Sequence, residues 1–192
     1  LFLRVFMSTD IIFLRHAEPC INPSMPPSYW VLGEKGQRDS QSFAESIPYC
    51  QLDGLYCSED VKTFQTLEPA AQRYGLDIQP LREFNDVSVI DLFIPLDRFR
   101  LMRQSFLSDL VSRAQGGESA QDGLERFMGG VSKIETIHPE GAAVVSSHGG
   151  ILSLYFSYLA GDLDMSFDRW CSMGYCCYGI VSGGTVIKDI VE

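Results

Sequence analysis

Two histidines follow apolar segments that are typical of buried strands. His16, preceded by Arg15, comes at the end of the run DIIFLR, and His148 follows the run AAVVSS. Cys57 and Ser58 lie at the end of a third such run. Because parallel α/β sheets bind ligands beyond the carboxyl ends of their strands, we expect these side chains to meet at one edge. A neutral imidazole nitrogen can attack phosphorus, and a neighbouring guanidinium stabilises the charge on the phosphoryl oxygens. The pattern therefore predicts phosphoryl-transfer chemistry.

The same chemistry needs backbone donors for an anion and an acid for the leaving group. Gly149 and Gly150 follow His148 at the start of a predicted helix, where small residues let a phosphate approach the backbone N–H groups. A leaving alkoxide needs a proton, which a carboxylic acid in the pocket supplies. Glu83, shortly after a predicted strand, is the candidate for that role.

Strands and helices that alternate along the chain must position these groups. Strands are predicted over residues 10–15, 52–57, 77–80 and 142–147, and residues 175–182 and 185–191 are predicted to form a hairpin. Helices are predicted over residues 32–47, 59–74, 96–114 and 119–137, and from the glycine pair to residue 158. This alternation predicts an α/β sandwich with a largely parallel sheet.

The composition restricts the classes of function. A chain of 192 residues suits one domain, and 45% hydrophobic residues exclude disorder over its whole length. The net charge of −10 repels nucleic-acid phosphates, so no nucleic-acid partner is predicted. No apolar run reaches the ~20 residues that span a bilayer, so no membrane partner is predicted either. Residues 1–6 are apolar but too short for a signal peptide, which favours a cytoplasmic location, reduced cysteines and no metal site.

Several motifs add a family resemblance. Leu14-Arg15-His16-Ala17-Glu18, with Asn22 six residues after His16, resembles the RHGE…N signature of the histidine phosphatase superfamily, the phosphoglycerate mutase-like proteins. Other matches follow in family order: Leu32 with Gly36, Cys57-Ser58, Gln65-Thr66, Leu81 with Glu83, Gly117-Glu118-Ser119 with Asp122 and Arg126, and His148-Gly149-Gly150. The resemblance covers most of the chain. It implies a three-layer α/β/α sandwich. It also implies a single domain over residues 1–192, in which residues 84–117 form a small cap or rim insertion.

The resemblance also implies a role for each matching residue. His16 is the nucleophile that becomes a phosphohistidine, and Glu83 is the acid that protonates the leaving group and then activates water. His148 completes the catalytic set and binds the phosphoryl oxygens. The phosphate-binding residues implied are Arg15, Asn22, Lys62, His148 and Gly149. No cofactor and no metal are implied.

This chain departs from the family pattern at several places, of which three bear directly on the site. Lys62 stands where the family has a second phosphate-binding arginine, which keeps the charge but loses the bidentate fork. The two residues before that helix are the acidic pair Glu59-Asp60. Glu83 is followed by a different sequence from the family's glycine-tryptophan-glutamate, so Asp86 is an alternative proton donor.

The leading hypothesis is a phosphatase that hydrolyses a small phosphorylated metabolite through a phosphohistidine. A mutase of the phosphoglycerate type is the first alternative, and the segment 84–117 offers extra cations for it: Arg98, Arg100, Arg103 and Arg113. That segment is shorter than the insertion of the family's mutases, which favours the phosphatase. The second alternative is a weakly active or non-catalytic phosphate-binding relative. The substrate and the oligomeric state are left open.

Overall fold

The sheet is largely parallel and ends in an antiparallel hairpin. The computed structural model describes residues 8–87, 91–113 and 117–191. Within them, six strands form one sheet in the order β3-β2-β4-β1-β5-β6, and the first four strands in that order are mutually parallel. The strands are β1 (Asp10–Arg15), β2 (Gly54–Cys57), β3 (Ile78–Pro80), β4 (Ala142–Ser147), β5 (Tyr178–Ser182) and β6 (Thr185–Lys188). The predicted parallel sheet and the predicted C-terminal hairpin are both confirmed.

Helices cover both faces of this sheet. In the described part of the chain they are α1 (Glu34–Ser46), α2 (Val61–Tyr74), α3 (Leu96–Ser108), α4 (Ala120–Ile137), α5 (Gly149–Ala160) and α6 (Ser166–Ser172). Alternate residues of β1 point into two separate cores. Phe13 packs with Phe127 of α4 and Tyr155 of α5, whereas Leu14 lies in a second core with residues of α1 and α2. Strands buried on both faces read as continuous apolar runs, and the three-layer α/β/α architecture is confirmed.

The helix ends follow local sequence signals. Gly33 caps the start of α1 in an extended conformation, and Gly75 ends α2 in the left-handed conformation, with φ of 65°. The prediction of one long helix over 96–114 was too long, because α3 ends at Ser108 and is followed by Asp109 in an extended conformation. Helix α6 was not predicted.

Several sequence predictions fall on parts of the chain that lie outside the described residues. These are residues 1–6, read as an apolar extension, and residues 88–90 and 114–116 of the predicted insertion 84–117. In the rest of that segment α3 packs against α5 and α6 beside the sheet, with Arg103 and Leu107 buried.

None of the helices in the described ranges combines the length and apolar character that a membrane span requires.

Candidate active site

A deep cleft opens where β1, β2 and β4 end. It has a volume of about 900 Å³. Among the predicted site residues, its lining includes Arg15, His16, Lys62, His148 and Gly149. The strand-end argument from the sequence expected Arg15, His16, His148 and Gly149 at one edge of the sheet, and the structure brings them together there although His16 and His148 are more than 130 residues apart. Lys62, which the family resemblance implied, lines the same cleft.

The loop after β1 fixes the tautomer and the position of His16. Its Nδ1 lies 2.9 Å from the carbonyl oxygen of Ala17, to which it donates as Nδ1–H, so the lone pair remains on Nε2. The Ala17 N–H donates to Thr66 Oγ1 of α2 at 3.0 Å. Gly36 lets α1 approach the same loop, because a Cβ there would lie 2.2 Å from the Glu18 carbonyl oxygen. The loop is thus held from two helices, and Nε2 is free for nucleophilic attack.

His16 is held neutral by its surroundings. Only 7% of its surface is exposed, and burial lowers its pKa well below the ordinary value of 6.5. The neighbouring groups His148, Lys62 and Arg15 lower that pKa further. The rings of His16 and His148 lie edge to face with centroids 5.2 Å apart. A neutral imidazole among cations is the state that a nucleophile toward phosphorus requires.

His148 is the residue directly before α5, and its ring forms a hydrogen bond with the residue that follows β2. Its Nε2 lies 2.7 Å from Ser58 Oγ, and Ser58 is in turn 2.8 Å from Thr63 Oγ1 of α2. Burial, reinforced by Lys62, lowers the pKa of His148 to about 4. Ser58 was part of a recognised motif but was given no role in the sequence analysis. Its place at the end of β2 was the signal that could have assigned one.

Arg15 lies against the N-terminus of α5. A Cβ at Gly149 would come within 3.2 Å of the guanidinium carbon, so glycine is what lets the two groups approach. The guanidinium donates to the carbonyl oxygen of Met173 and lies 4.4 Å from the ring centroid of Tyr175. Its Nε is buried and has no hydrogen-bond partner among the described residues. An unpaired donor at a helix N-terminus is suited to a phosphoryl oxygen.

Lys62 reaches the cleft from the first turn of α2. Its side chain is 7% exposed, and Nζ donates to a carboxylate oxygen of Asp60 and, at 2.9 Å, to the carbonyl oxygen of Pro27. The same Asp60 oxygen lies 3.8 Å from His148 Nε2. The acidic residue that the sequence placed beside the phosphate site therefore faces it and shares Lys62 with any bound anion.

Replacing Lys62 by alanine is expected to weaken both phosphate binding and turnover. Loss of a charge-assisted contact to the transferring group costs roughly 2–4 kcal/mol of transition-state stabilisation, which is roughly a 30–900-fold fall in kcat/KM. Lys62→Arg is expected to preserve or raise activity. Steady-state kinetics on one phosphate monoester measure both, with Lys188→Ala in the C-terminal hairpin as the control. Unchanged kinetics in Lys62→Ala would show that Lys62 does not contact the transferring phosphoryl group.

Two predicted site residues do not line the cleft. The side chain of Asn22 accepts from the Ser24 N–H at 3.0 Å and is exposed in the loop after β1. Glu83 forms an ion pair with Lys133 of α4, which holds the pKa of this carboxyl below its usual range. The pair with Lys133 favours the ionised carboxylate, and Glu83 lies outside the cleft lining that contains His16. The role predicted for Glu83 therefore requires a different arrangement of this side chain.

Asp86 is the carboxylate that enters the cleft from the same segment. Its Oδ1 accepts from the Ile151 N–H at 3.1 Å, and its Oδ2 accepts from Arg103 Nη2 at 2.7 Å. Burial raises the pKa of Asp86, but Arg103, His148 and the Ile151 N–H outweigh it and leave the pKa below its ordinary value. Asp86 was the alternative donor in the sequence analysis. Arg103 was one of four arginines in a helix whose pattern did not show which would face the cleft.

Arg126 of α4 holds the segment that carries Asp86. Its guanidinium donates to the carbonyl oxygens of Glu83 at 2.7 Å and Asn85 at 3.1 Å. Glu118 orients it through two hydrogen bonds of 2.7 and 2.8 Å. Ser119 caps α4, so Gly117-Glu118-Ser119 and Arg126 form a support for the Asp86 loop rather than part of the cleft lining.

The two neutral histidines make stability depend on pH. Each is charged in the unfolded chain below pH 6.5, whereas His148 in the folded protein stays neutral until pH falls to about 4. The contribution of the two histidines to the free energy of unfolding is therefore fully present above pH 6.5. Below that pH it falls by about 1.4 kcal/mol per pH unit for each histidine. Urea unfolding at pH 7, 6 and 5 measures this slope. It is expected to be shallower in His148→Gln, and a flat profile in the native chain would contradict the buried neutral state.

Comparisons with solved structures agree with this fold. The fold is similar to that of Bacillus stearothermophilus YhfR, at 19% identity and a TM-score of 0.75, over 96% of this chain and 100% of that one. It is similar to a phosphoserine phosphatase from Entamoeba histolytica, at 15% identity and a TM-score of 0.75, over 94% of each chain. A mycobacterial glucosyl-3-phosphoglycerate phosphatase gives 18% identity and a TM-score of 0.73, over 92% of this chain and 94% of that one.

No match was found among the curated proteins. The family comparison matches residues 11–186, which include all of the lining residues described above, and it confirms the resemblance seen in the sequence. The chain belongs to the histidine phosphatase superfamily, branch 1.

Proposed function

We propose that this protein is a phosphatase that hydrolyses a small phosphorylated metabolite through a phosphohistidine on His16. The observation that carries the proposal is the state of His16, a neutral imidazole with Nε2 free. Three cationic or donor groups surround it: Arg15, Lys62 and His148. The site supplies a nucleophile and the positive charge that a transferring phosphoryl group needs.

Two displacements at phosphorus complete the reaction. In the first, Nε2 of His16 forms a bond to phosphorus as the bond to the leaving oxygen breaks, and the leaving alcohol takes a proton from an acid in the cleft. In the second, a water attacks the phosphohistidine and gives its proton to the same carboxylate. Inorganic phosphate leaves, and His16 is neutral again. The charge is balanced by side chains throughout, so we propose a metal-independent reaction.

We assign this proton transfer to Asp86, because it is the one of the two candidate donors Glu83 and Asp86 that lines the cleft. It lines the cleft together with His16 and His148. In the free protein Arg103 favours its ionised form, but a dianionic phosphate group beside it raises the pKa of a carboxyl. Substrate binding therefore favours the protonated acid for the first step, and its conjugate base then serves the second.

The names of two structural neighbours support a hydrolase. One is a phosphatase of phosphoserine and another a phosphatase of glucosyl-3-phosphoglycerate. A mutase has less support, because it must also hold a second phosphate. Of the four arginines that the segment 84–117 offers, only Arg100 and Arg103 line the cleft; Arg113 pairs with Asp122 at 2.8 Å.

Release of inorganic phosphate from p-nitrophenyl phosphate and from a set of phosphorylated metabolites, all in the presence of EDTA, tests the proposal. We expect turnover with EDTA. In separate assays without EDTA, which would bind vanadate, we expect inhibition by vanadate, which mimics the five-coordinate transition state. Turnover that EDTA abolishes and a divalent metal restores would contradict the mechanism. Absence of turnover on every ester, with phosphate still bound, would favour the non-catalytic phosphate-binding relative.

A further inference from the structure

The cleft is far larger than the group that reacts in it. A volume of about 900 Å³ is near the upper end for pockets that hold a whole ligand of drug-like size. The residues that suit a phosphoryl group, His16, His148, Arg15 and Lys62, occupy its inner end, at the carboxyl ends of the strands. The outer part of the cleft therefore faces the alcohol portion of a substrate, and its chemistry selects that portion.

Aromatic rings from separate parts of the chain line the outer part. Trp30, in the loop after β1, lies with its ring centroid 6.2 Å from that of Phe93. On the other side, Phe99 of α3 lies 6.0 Å from Trp170 of α6. All four belong to the cleft lining, and Phe93 retains 36% exposure in the free protein. Rings that converge from distant segments onto an open cleft form a surface for a flat, apolar group.

The charges of the outer part do not suit an anionic alcohol portion. Arg103 is paired with Asp86, which leaves Arg100 as the one further arginine among the described lining residues. Its guanidinium contacts Cys171 Sγ at 3.4 Å and lies 6.0 Å from the ring centroid of Phe167. The carboxylates Glu59 and Asp91 also line the cleft, whereas Asp60 is paired with Lys62 at the inner end. A carboxylate or a second phosphate on the substrate would meet two acidic groups and one cation.

From this arrangement we propose that the preferred substrates are phosphate monoesters of a large, uncharged aromatic alcohol. The phosphate lies at the histidine end of the cleft, and the aromatic portion lies between Trp30, Phe93, Phe99 and Trp170. The inference rests on the proposed phosphatase function and specifies its substrate class. It excludes phosphoglycerate-like and phosphoamino acid esters as preferred substrates.

The first test compares esters that differ in one property. Phenyl and 2-naphthyl phosphate release phenols of similar acidity, so the chemical step is matched and the difference reports the apolar contact. We expect kcat/KM to be about tenfold or more higher for 2-naphthyl phosphate, because the second ring buries additional apolar area. O-phosphoserine, which carries charges on a small alcohol portion, is expected to be a poor substrate.

Two substitutions test whether the aromatic rings of the outer cleft cause the preference for 2-naphthyl phosphate. Trp30→Ala and Phe93→Ala are each expected to reduce the naphthyl-to-phenyl ratio of kcat/KM by at least about threefold, mainly through the KM of the naphthyl ester. Phe64→Ala is the matched control, because Phe64 is 37% exposed, like Phe93 at 36%, but lies on α2 outside the cleft lining. The ratio is expected to stay at its native value in this control.

The outcomes separate the substrate class from the reaction itself. Equal kcat/KM on the two aryl esters, or a higher value on O-phosphoserine, overturns the substrate class and leaves the phosphatase in place. A naphthyl preference that survives both ring variants also overturns it, because the rings would then not form the binding surface. If no monoester is hydrolysed, the proposed function fails and this inference fails with it.

Discussion

Replacing His16 by alanine is expected to lower turnover of phosphate monoesters by about 10⁴-fold or more, with the fold intact. No other described group offers an unprotonated nitrogen between Arg15 and His148, so the covalent route is lost completely. Loss of a nucleophile in enzymes that form covalent intermediates has effects of this size. The substitution removes a ring from the cleft wall and no residue of either hydrophobic core. Phosphate release and a thermal melt measure the two effects.

The covalent intermediate gives a second readout of the same variant. The native chain is mixed with ³²P-labelled ester and the reaction is quenched rapidly with base. We expect label to remain on the protein in base and to be released in acid. His138→Gln is the matched control, because this histidine pairs with Tyr56 at 2.7 Å and lies outside the cleft lining. Label retained by His16→Ala, or activity equal to that of the native chain, would move the nucleophile elsewhere.

Replacing Asp86 by asparagine is expected to slow the hydrolysis of an alkyl phosphate by about 10²–10⁴-fold, the usual contribution of general acid–base catalysis. Hydrolysis of p-nitrophenyl phosphate is expected to change much less in its first step, because p-nitrophenolate leaves without a proton. The asparagine preserves the size of the side chain and one acceptor for Ile151, so a rate loss that depends on the leaving group reports the proton. Single-turnover kinetics on the two esters isolate that step.

Glu83→Gln is the counterpart that decides between the two carboxylates of this segment. Because Glu83 pairs with Lys133 outside the cleft lining, its substitution is expected to affect both esters equally and slightly. The reverse outcome, a leaving-group dependence in Glu83→Gln and none in Asp86→Asn, would assign the proton to Glu83. It would also show that this loop rearranges when substrate binds.

The sequence predicts the sheet and the inner end of the cleft because both depend on short-range signals. The runs DIIFLR and AAVVSS coincide with β1 and β4, since strands buried on both faces must be continuously apolar. His16 and His148 follow them directly, and the parallel arrangement of neighbouring strands then brings the two rings to within 5.2 Å. Each of these steps uses only residues adjacent in sequence and one rule of sheet topology.

The orientation of side chains after β3 depends instead on distant partners. Glu83 and Asp86 are three residues apart, and the sequence shows no difference that would send one of them into the cleft. The structure separates them through Lys133 on α4, which pairs with Glu83, and Arg103 on α3, which pairs with Asp86. Which arginines of α3 face the cleft is likewise fixed by how this helix packs on α5 and α6. Contacts between residues far apart in the sequence leave no local sequence pattern from which they could be predicted.

The ion pair between Asp86 and Arg103 couples substrate selection to the rate of proton transfer, two properties that could otherwise evolve independently. Helix α3 supplies Phe99 to the outer wall of the cleft and, one turn later, Arg103 to the carboxylate. A mutation that tilts α3 to admit a new substrate also moves the partner of Asp86. Trp30 lies in a loop that has no such bond to Asp86 among the described contacts. Substitution of the Trp30 side chain can thus change the outer cleft without moving the partner of Asp86, provided that the loop backbone still holds Lys62 through the carbonyl oxygen of Pro27. Adaptation through α3 requires a second, compensating mutation.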